Sequence, residues 1–258
     1  DKIIKVNNKD VSGMELDDVV KLIKNKKKVN IIVKRDNKEK EITLKQNTVV
    51  IPSVSSRIVE SNNKKVGVLN VSIFAANTYK QFKNKLDDLE NKKIDSLIID
   101  VRQNSGGHLD QVSKILSLFM KQDKVIYQIK TKKGVEKYYS TGKKSKNYNV
   151  VVLIDNGSAS ASEILAAAMN ESYGATLMGE KTYGKGTVQK EYMLSSGASI
   201  KYTVEKWFTP KGKSINGKGI SPTIEVALSD EYTNNPTDEN DNQLQEAIKF
   251  LTEGKKTN

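Results

Sequence analysis

The chain has 258 residues, long enough to bury a sizeable core and to hold more than one domain. Its formal charge of +12 comes almost wholly from lysine, with arginine only at Arg35, Arg57 and Arg102, and the lysines are scattered among asparagines along every segment. Nucleic-acid readers lean on arginine forks and on charge gathered into a stripe, so nucleic acid is not an expected partner; the absence of cysteine is compatible with export without establishing it.

In chain order, residues 1–47 read as a first domain. Leu16, Val19, Val20 and Ile23 recur at helical spacing. Val29, Ile31 and Val33 alternate, Asp36-Asn37 marks a turn, and Ile42 and Leu44 alternate again, which predicts a hairpin. The opening stretch Asp1–Val11 is similar to the GDxIxxVNGxxV segment of a PDZ domain. The resemblance implies a partial PDZ domain, with the strand and carboxylate-binding loop that grip a peptide expected to lie before Asp1. The sequence carries no signal peptide and no apolar stretch of membrane length.

Residues 46–55 are read as the crossing into a second domain spanning residues 48–228. Val66–Phe74 predicts a strand, and Tyr79, Phe82, Leu86 and Leu89 an amphipathic helix. Leu97–Val101 is a continuous apolar run, as expected of a strand covered on both faces. It leads through Asn104–Gly107 into a helix carrying Val112, Ile115, Leu116 and Phe119. Val125–Thr131 and Val135–Ser140 predict a hairpin around Lys133-Gly134. Val150–Ile154 and Thr176–Met178 read as strands, as do Val188–Leu194 and Ala198–Val204. Alternating strands and helices argue an α/β core. Residues 229–258 read as a polar linker and a terminal helix with Leu244, Ile248 and Leu251 on one face, and Asp238, Glu239 and Asp241 at its N-terminal end.

The strongest chemical signal is Asn156-Gly157-Ser158-Ala159-Ser160-Ala161-Ser162-Glu163, which joins the strand Val150–Ile154 to an Ala-rich helix. Unpaired N–H groups and the positive dipole end at a helix start favour negative charge. A serine whose attack creates an oxyanion suits that place. Three serines compete. Ser160 is preferred because Ser160-x-x-Glu163 has capping-box spacing, and Ala161 then offers an N–H beside it. By itself this spacing describes an ordinary helix cap, so the chemistry needs a partner.

His108 is the one histidine, leaving little scope for a serine–histidine pair. Lysine can act as general base if desolvation lowers its affinity for the proton, from a free value near 10.4 by about 3 units. Lys185 stands apart from the other lysines by lying between Gly184 and Gly186. A helix from Ser160 runs out about 20 Å, and the twelve residues Tyr173–Gly184 return as much as about 40 Å. Lys185 is therefore able to come back beside Ser160. Gln189, four residues on, carries a side-chain carbonyl able to hold an amine.

The segments Ser158–Ile164 and Tyr183–Gln189 resemble two motifs of the C-terminal processing (tail-specific) peptidases, serine-peptidase family S41. Asp100–Gly107 resembles the DLRxNxGG motif of the same family, and Trp207–Ile215 its YYTPxGRSI segment. Tyr183 stands where the family often has phenylalanine. The resemblance covers residues 51–226 and implies a crotonase-like core. It implies Ser160 as nucleophile, Lys185 as general base and Gln189 as its orienting residue. It places an oxyanion hole at the N–H groups of Gly106 and Ala161. It further implies protein or peptide substrates recognised through their C-termini and an exported or envelope location, and leaves a membrane tether outside these residues and homo-oligomerisation open. No cofactor is implied, and no metal-ligand spacing is found.

Several patterns compete with this reading. Gly179-x4-Gly184-Lys185 nearly spells a phosphate loop, but Gly186 stands where a magnesium-binding Ser or Thr is needed, and a strand follows. Ser61-x-x-Lys64 and Ser140-x-x-Lys143 match a hydrolase spacing within polar, lysine-rich turns. Trp207 reads as core, His108 as surface, and Arg102 as a partner of Asp100. The alternatives to a Ser–Lys peptidase are a catalytically silent PDZ-linked peptide binder and a crotonase-like acyl-CoA enzyme; the latter has no need of Ser160 and Lys185 together.

Overall fold

The computed structural model describes residues 1–47, 50–131 and 134–253. The chain forms two compact units, Asp1–Ile51 and Pro52–Asn258. Thr48, at the expected domain boundary, and Lys133, in the expected hairpin turn, lie outside the described residues.

In the first unit, β1 (Lys2–Val6), β2 (Lys9–Asp10), β3 (Lys28–Arg35) and β4 (Lys38–Lys45) form an antiparallel sheet in the order β2-β1-β3-β4. The β3–β4 hairpin turns on Asp36 and Asn37, both with positive φ (48° and 62°), as a tight primed turn requires. The alternating Val29, Ile31 and Val33 are buried with Val6 and Val11. Helix α1 (Leu16–Ile23) covers this small core with partly buried side chains only.

The second unit is built on a six-stranded sheet in the order β14-β11-β10-β7-β6-β5. These strands are β5 (Val54–Ser61), β6 (Lys64–Val71), β7 (Ser96–Asp100), β10 (Asn149–Ile154), β11 (Thr176–Gly179) and β14 (Ile224–Glu225). All neighbours are parallel except β5 and β6. The continuous apolar runs are buried on both faces. Leu97, Ile99 and Val152 face a core shared with α2 (Thr78–Asn91), α3 (Leu109–Phe119) and α4 (Ala161–Ala168), while Ile98, Val151 and Leu153 face α6 (Asn242–Glu253). Side chains one residue apart on a strand point to opposite faces, so each run feeds two helical layers. Helix α4 passes into a π-helical turn, Met169–Tyr173, which Gly174 ends in the left-handed conformation.

A second, antiparallel sheet has the order β12-β13-β8-β9, from β8 (Val125–Thr131), β9 (Gly134–Tyr139), β12 (Thr187–Met193) and β13 (Ser199–Phe208). The strand at β12 also disposes of the phosphate-loop reading, which needs a helix there.

Several elements differ from the sequence reading. Val54–Ser61 is an edge strand, hidden in the sequence because its Ser, Arg and Glu residues blur the alternation and only Val54 is fully buried. The strand expected to reach Phe74 stops at Val71, because Phe74 leaves β6 to make an isolated bridge with Gly107. A short helix, α5 (Asp230–Asn234), lies in the expected linker, and α6 is part of the second unit's core.

Candidate active site

Strand β10 ends at the serine-rich turn, and the three serines meet different fates. Ser158 is fully buried; its Oγ donates to Val101 O (2.8 Å) and accepts from Asp155 N–H (3.1 Å). Ser162 is also fully buried, and its Oγ donates to Asn104 O (2.7 Å). Ser160 alone of the three is half-exposed, at the N-cap of α4, with φ 56° and ψ −114°. A non-glycine residue with positive φ is held there by its surroundings. The capping-box spacing is realised, with Ser160 N–H donating to Glu163 Oε2 at 2.8 Å.

The turn after β7 is packed against this one. Asn104 is fully buried; its Nδ2 donates to Val71 O (2.7 Å), its Oδ1 accepts from Gly106 N–H (2.9 Å), and its carbonyl accepts from Ala159 N–H (3.1 Å). Gly106 has φ +106°, and a Cβ there would lie 2.8 Å from Ala159 O, 2.9 Å from Ser160 Cβ and 3.1 Å from Ala161 N. The approach of the two backbones therefore requires glycine. Of the two expected oxyanion donors, Ala161 lines the cleft described below, whereas the Gly106 N–H is taken by Asn104. Gly107, the next residue, does line the cleft. Among the described residues, neither the Ala161 nor the Gly107 N–H donates to a protein acceptor.

The loop before β12 brings the third component. Thr182 Oγ1 and Gly184 N–H donate to Glu163 Oε1, each at 2.7 Å, and Lys185 N–H donates to Glu163 Oε2 at 2.9 Å. Trp207 Nε1–H donates to Lys185 O (2.8 Å), and Trp207 N–H to Gly186 O (3.1 Å). Trp207 is thus core, as expected, and also a fastener of the lysine loop.

Ser160, Ala161, Lys185 and Gln189 line one cleft of about 260 Å³, with Leu109, Ile164, Val188 and Trp207 as its apolar wall. The resting cleft differs from the expected base site in one respect. Lys185 and Gln189 are exposed, and no hydrogen bond joins Ser160 Oγ to Lys185 Nζ among the described residues. Lys201 also lines the cleft; it sits mid-strand among many lysines, and only the fold of β13 onto β12 reveals it.

Other candidates fall away. Ser140 is buried with its Oγ donating to Met120 O at 2.5 Å, and Ser61 closes β5 at a turn where Asn62 and Asn63 have positive φ. His108 is exposed. Arg102 is more than a partner of Asp100: it bonds Asp100, Asp241 and Gln243 at once. Burial opposes its charge, but the bonds to Asp241 and Asp100 outweigh that and hold its pKa above the ordinary arginine value. Among the described residues no cluster of His, Asp or Glu is arranged to hold a metal ion, and no helix is long and apolar enough to cross a membrane.

The α/β fold thus brings a serine at a strained strand-to-helix turn and a glycine-flanked lysine to one cleft. The family description that matches residues 65–226 is Peptidase family S41. The chain belongs to that family. It is 37% identical over 254 residues to the carboxy-terminal processing protease CtpB of Bacillus subtilis (strain 168), a match covering 96% of this chain and 52% of that protein. It is likewise 37% identical over 234 residues to CtpA of the same organism, covering 89% of this chain and 50% of that protein. Among solved structures, the photosystem II D1 C-terminal processing protease is 26% identical, with a TM-score of 0.64 over 87% of this chain and 62% of that one. The chain spans about half the length of the Bacillus proteins it matches.

Proposed function

We propose that this chain carries the catalytic site of a serine endopeptidase of the carboxy-terminal processing type. The observation that carries the reading is that Ser158 and Ser162 are buried and hydrogen-bonded, while Ser160 reaches a cleft lined also by Lys185. In this mechanism Ser160 Oγ attacks the peptide carbonyl carbon while neutral Lys185 Nζ takes its proton. The carbonyl oxygen becomes an oxyanion held by the Ala161 N–H and by the Gly106–Gly107 turn. We assign the second donor to Gly107, since the Gly106 N–H is already engaged by Asn104. Collapse breaks the C–N bond, Lys185 returns the proton to the leaving amine, and an acyl-enzyme remains. Lys185 then takes a proton from water as it attacks; the ester C–O bond breaks and Ser160 regains a proton. Gln189 orients the lysine amine. A substrate chain filling the cleft supplies the desolvation that exposed Lys185 lacks at rest.

The same proposal includes a crotonase-like core, a partial PDZ domain in residues 1–47, recognition of substrates through their C-termini, and an exported or envelope location. A catalytically silent peptide binder is the second reading, and it draws on the exposed Lys185 and its missing bond to Ser160. A fluorophosphonate probe together with an unstructured protein substrate separates the two. Labelling and cleavage are expected in the wild type and lost in Ser160→Ala and in Lys185→Ala, with the fold retained in both. Absence of labelling and cleavage in the wild type supports the silent binder.

A further inference from the structure

We infer that Glu163 is a positioning residue that holds the nucleophile turn and the lysine loop in one register, an inference that rests on the Ser–Lys reading. Glu163 is fully buried. Its Oε2 accepts from Ser160 N–H (2.8 Å) and Lys185 N–H (2.9 Å); its Oε1 accepts from Thr182 Oγ1 (2.7 Å) and Gly184 N–H (2.7 Å). A carboxylate offers about four acceptor sites, so this one is saturated. A helix cap accounts for the bond to Ser160 alone. The other three come from a loop 19 to 22 residues further on, through the intervening strand β11.

Each carboxylate oxygen has a distinct part. Oε2 joins the backbone of the serine to the backbone of the lysine with one atom, so the two residues cannot drift apart without breaking a charge-assisted bond. Oε1 anchors the base of the lysine loop, where Thr182 Oγ1 in turn accepts from Ile220 N–H at 2.7 Å. The negative charge sits in the first turn of α4, where the helix dipole favours it. None of the ion pairs among the described residues involves Glu163; its charge is met by N–H and O–H donors.

The type of residue matters as much as the place. Glutamine has nearly the same shape, but it accepts through one oxygen and points an NH₂ at donors where the carboxylate presented an acceptor. In Glu163→Gln the two donors on one of the oxygens are left facing an NH₂, so the nucleophile turn and the lysine loop are no longer held by all four bonds. Misplacement of reacting groups by about 1 Å costs up to roughly 100-fold in rate. Glu163 makes no contact that would hold substrate more tightly, so kcat is expected to fall roughly 10- to 100-fold while KM stays within about threefold.

The test measures amide hydrogen exchange and kinetics on the same preparations. In Glu163→Gln, protection should fall by roughly tenfold or more at the amides that face the new NH₂, either Ser160 with Lys185 or Gly184, while Ile98 and Val152 in the central strands keep theirs. Thr182→Val, which removes one donor to Oε1, should lower kcat by a smaller factor, and Thr182→Ser should restore it. Unchanged exchange and unchanged kcat in a folded Glu163→Gln protein overturn the inference. If Glu163→Gln does not fold, Thr182→Val decides: wild-type kcat and wild-type protection at Ser160 overturn it. The fluorophosphonate label keeps the two readings apart. A wild type that labels at Ser160 but shows no linked exchange loses the Glu163 role and keeps the Ser–Lys pair. Linked exchange in a protein that never labels supports the Glu163 bridge and removes the Ser–Lys pair.

Discussion

At the scale of single residues, the site separates chemistry from scaffolding among neighbours that look alike. Ser158, Ser160 and Ser162 differ in sequence only by position, yet Ser158 and Ser162 spend their hydroxyls on Val101 O and Asn104 O. Ser162→Ala should therefore lower stability by only about 0.5–1.5 kcal/mol, since the Asn104 carbonyl loses one of two donors and keeps the Ala159 N–H, without abolishing fluorophosphonate labelling. Complete loss of labelling in a folded Ser162→Ala protein would contradict the assignment of Ser160. Lys185→Arg should be inactive, because arginine remains charged, whereas His108→Ala should retain wild-type turnover. The reverse pattern would remove lysine from the mechanism. Gly106→Ala makes a sharper demand. Its Cβ would meet Ala159 O at 2.8 Å and Ser160 Cβ at 2.9 Å, in a conformation with φ +106° that L residues avoid. Activity should be abolished even where circular dichroism shows a folded chain, and appreciable activity would mean that the two turns need not touch.

At the scale of elements, the strand that carries the Asn104–Gly107 turn is fastened to the last helix. Arg102 lies just after β7 with its side chain 11% exposed, and Asp241, just before α6, with its side chain 4% exposed. The guanidinium makes two bonds to Asp241, at 2.9 Å and 2.6 Å, two to Asp100, at 3.0 Å and 2.8 Å, and one to Gln243 at 2.9 Å. Asp241 Oδ1 also accepts from Leu244 N–H at 3.0 Å, capping α6. Removing Asp241 takes away charge-assisted bonds and the cap of α6 while Asp100 keeps the guanidinium paired, so the cost is about 1.5–3 kcal/mol. Asp241→Ala should reach that range by urea denaturation, with Asp241→Asn less damaging because it keeps an acceptor for the cap. A loss below about 1 kcal/mol would mean that α6 is held by its apolar face alone.

At the scale of the whole molecule, burial of three tyrosines predicts an alkaline limit to stability. Burial pushes Tyr127 and Tyr173 up to about 12. Burial raises Tyr148 too, aided by its bond to Glu90 (2.7 Å). Tyrosine in an unfolded chain titrates near 10, so the folded state holds these protons more tightly. Stability from these groups is present in full below about pH 10 and is lost as pH rises through about 12. Thermal melts across that interval should show the decline, and absorbance at 295 nm should show a late-ionising group of tyrosines. Ionisation of all ten near pH 10 in a protein still folded would refute it.

Much of this was legible along the chain because it is local. The buried parallel strands announce themselves as β-branched runs. Capping-box spacing marks the start of α4, and Asp36-Asn37 marks its hairpin. The serine, lysine and glycine motifs stand out because glycine and small residues are placed where backbones must approach. Edge strand β5 was obscure because a strand half in solvent needs no clean apolar pattern. What only the tertiary structure decided is which groups meet. Nothing in the sequence distinguishes Gly106 from Gly107 as the residue at the cleft, since that depends on which N–H Asn104 Oδ1 captures. The cap residue Glu163 becomes a bridge only when the loop 182–185 folds back onto α4. Arg102 finds Asp241 across 139 residues. The exposure of Lys185 is likewise a property of the assembled cleft. Hydrophobic periodicity and turn chemistry act over a few residues and are written in order along the chain. Hydrogen-bond partnership and desolvation depend on what other segments place within about 3 Å, and the packing of layers settles that.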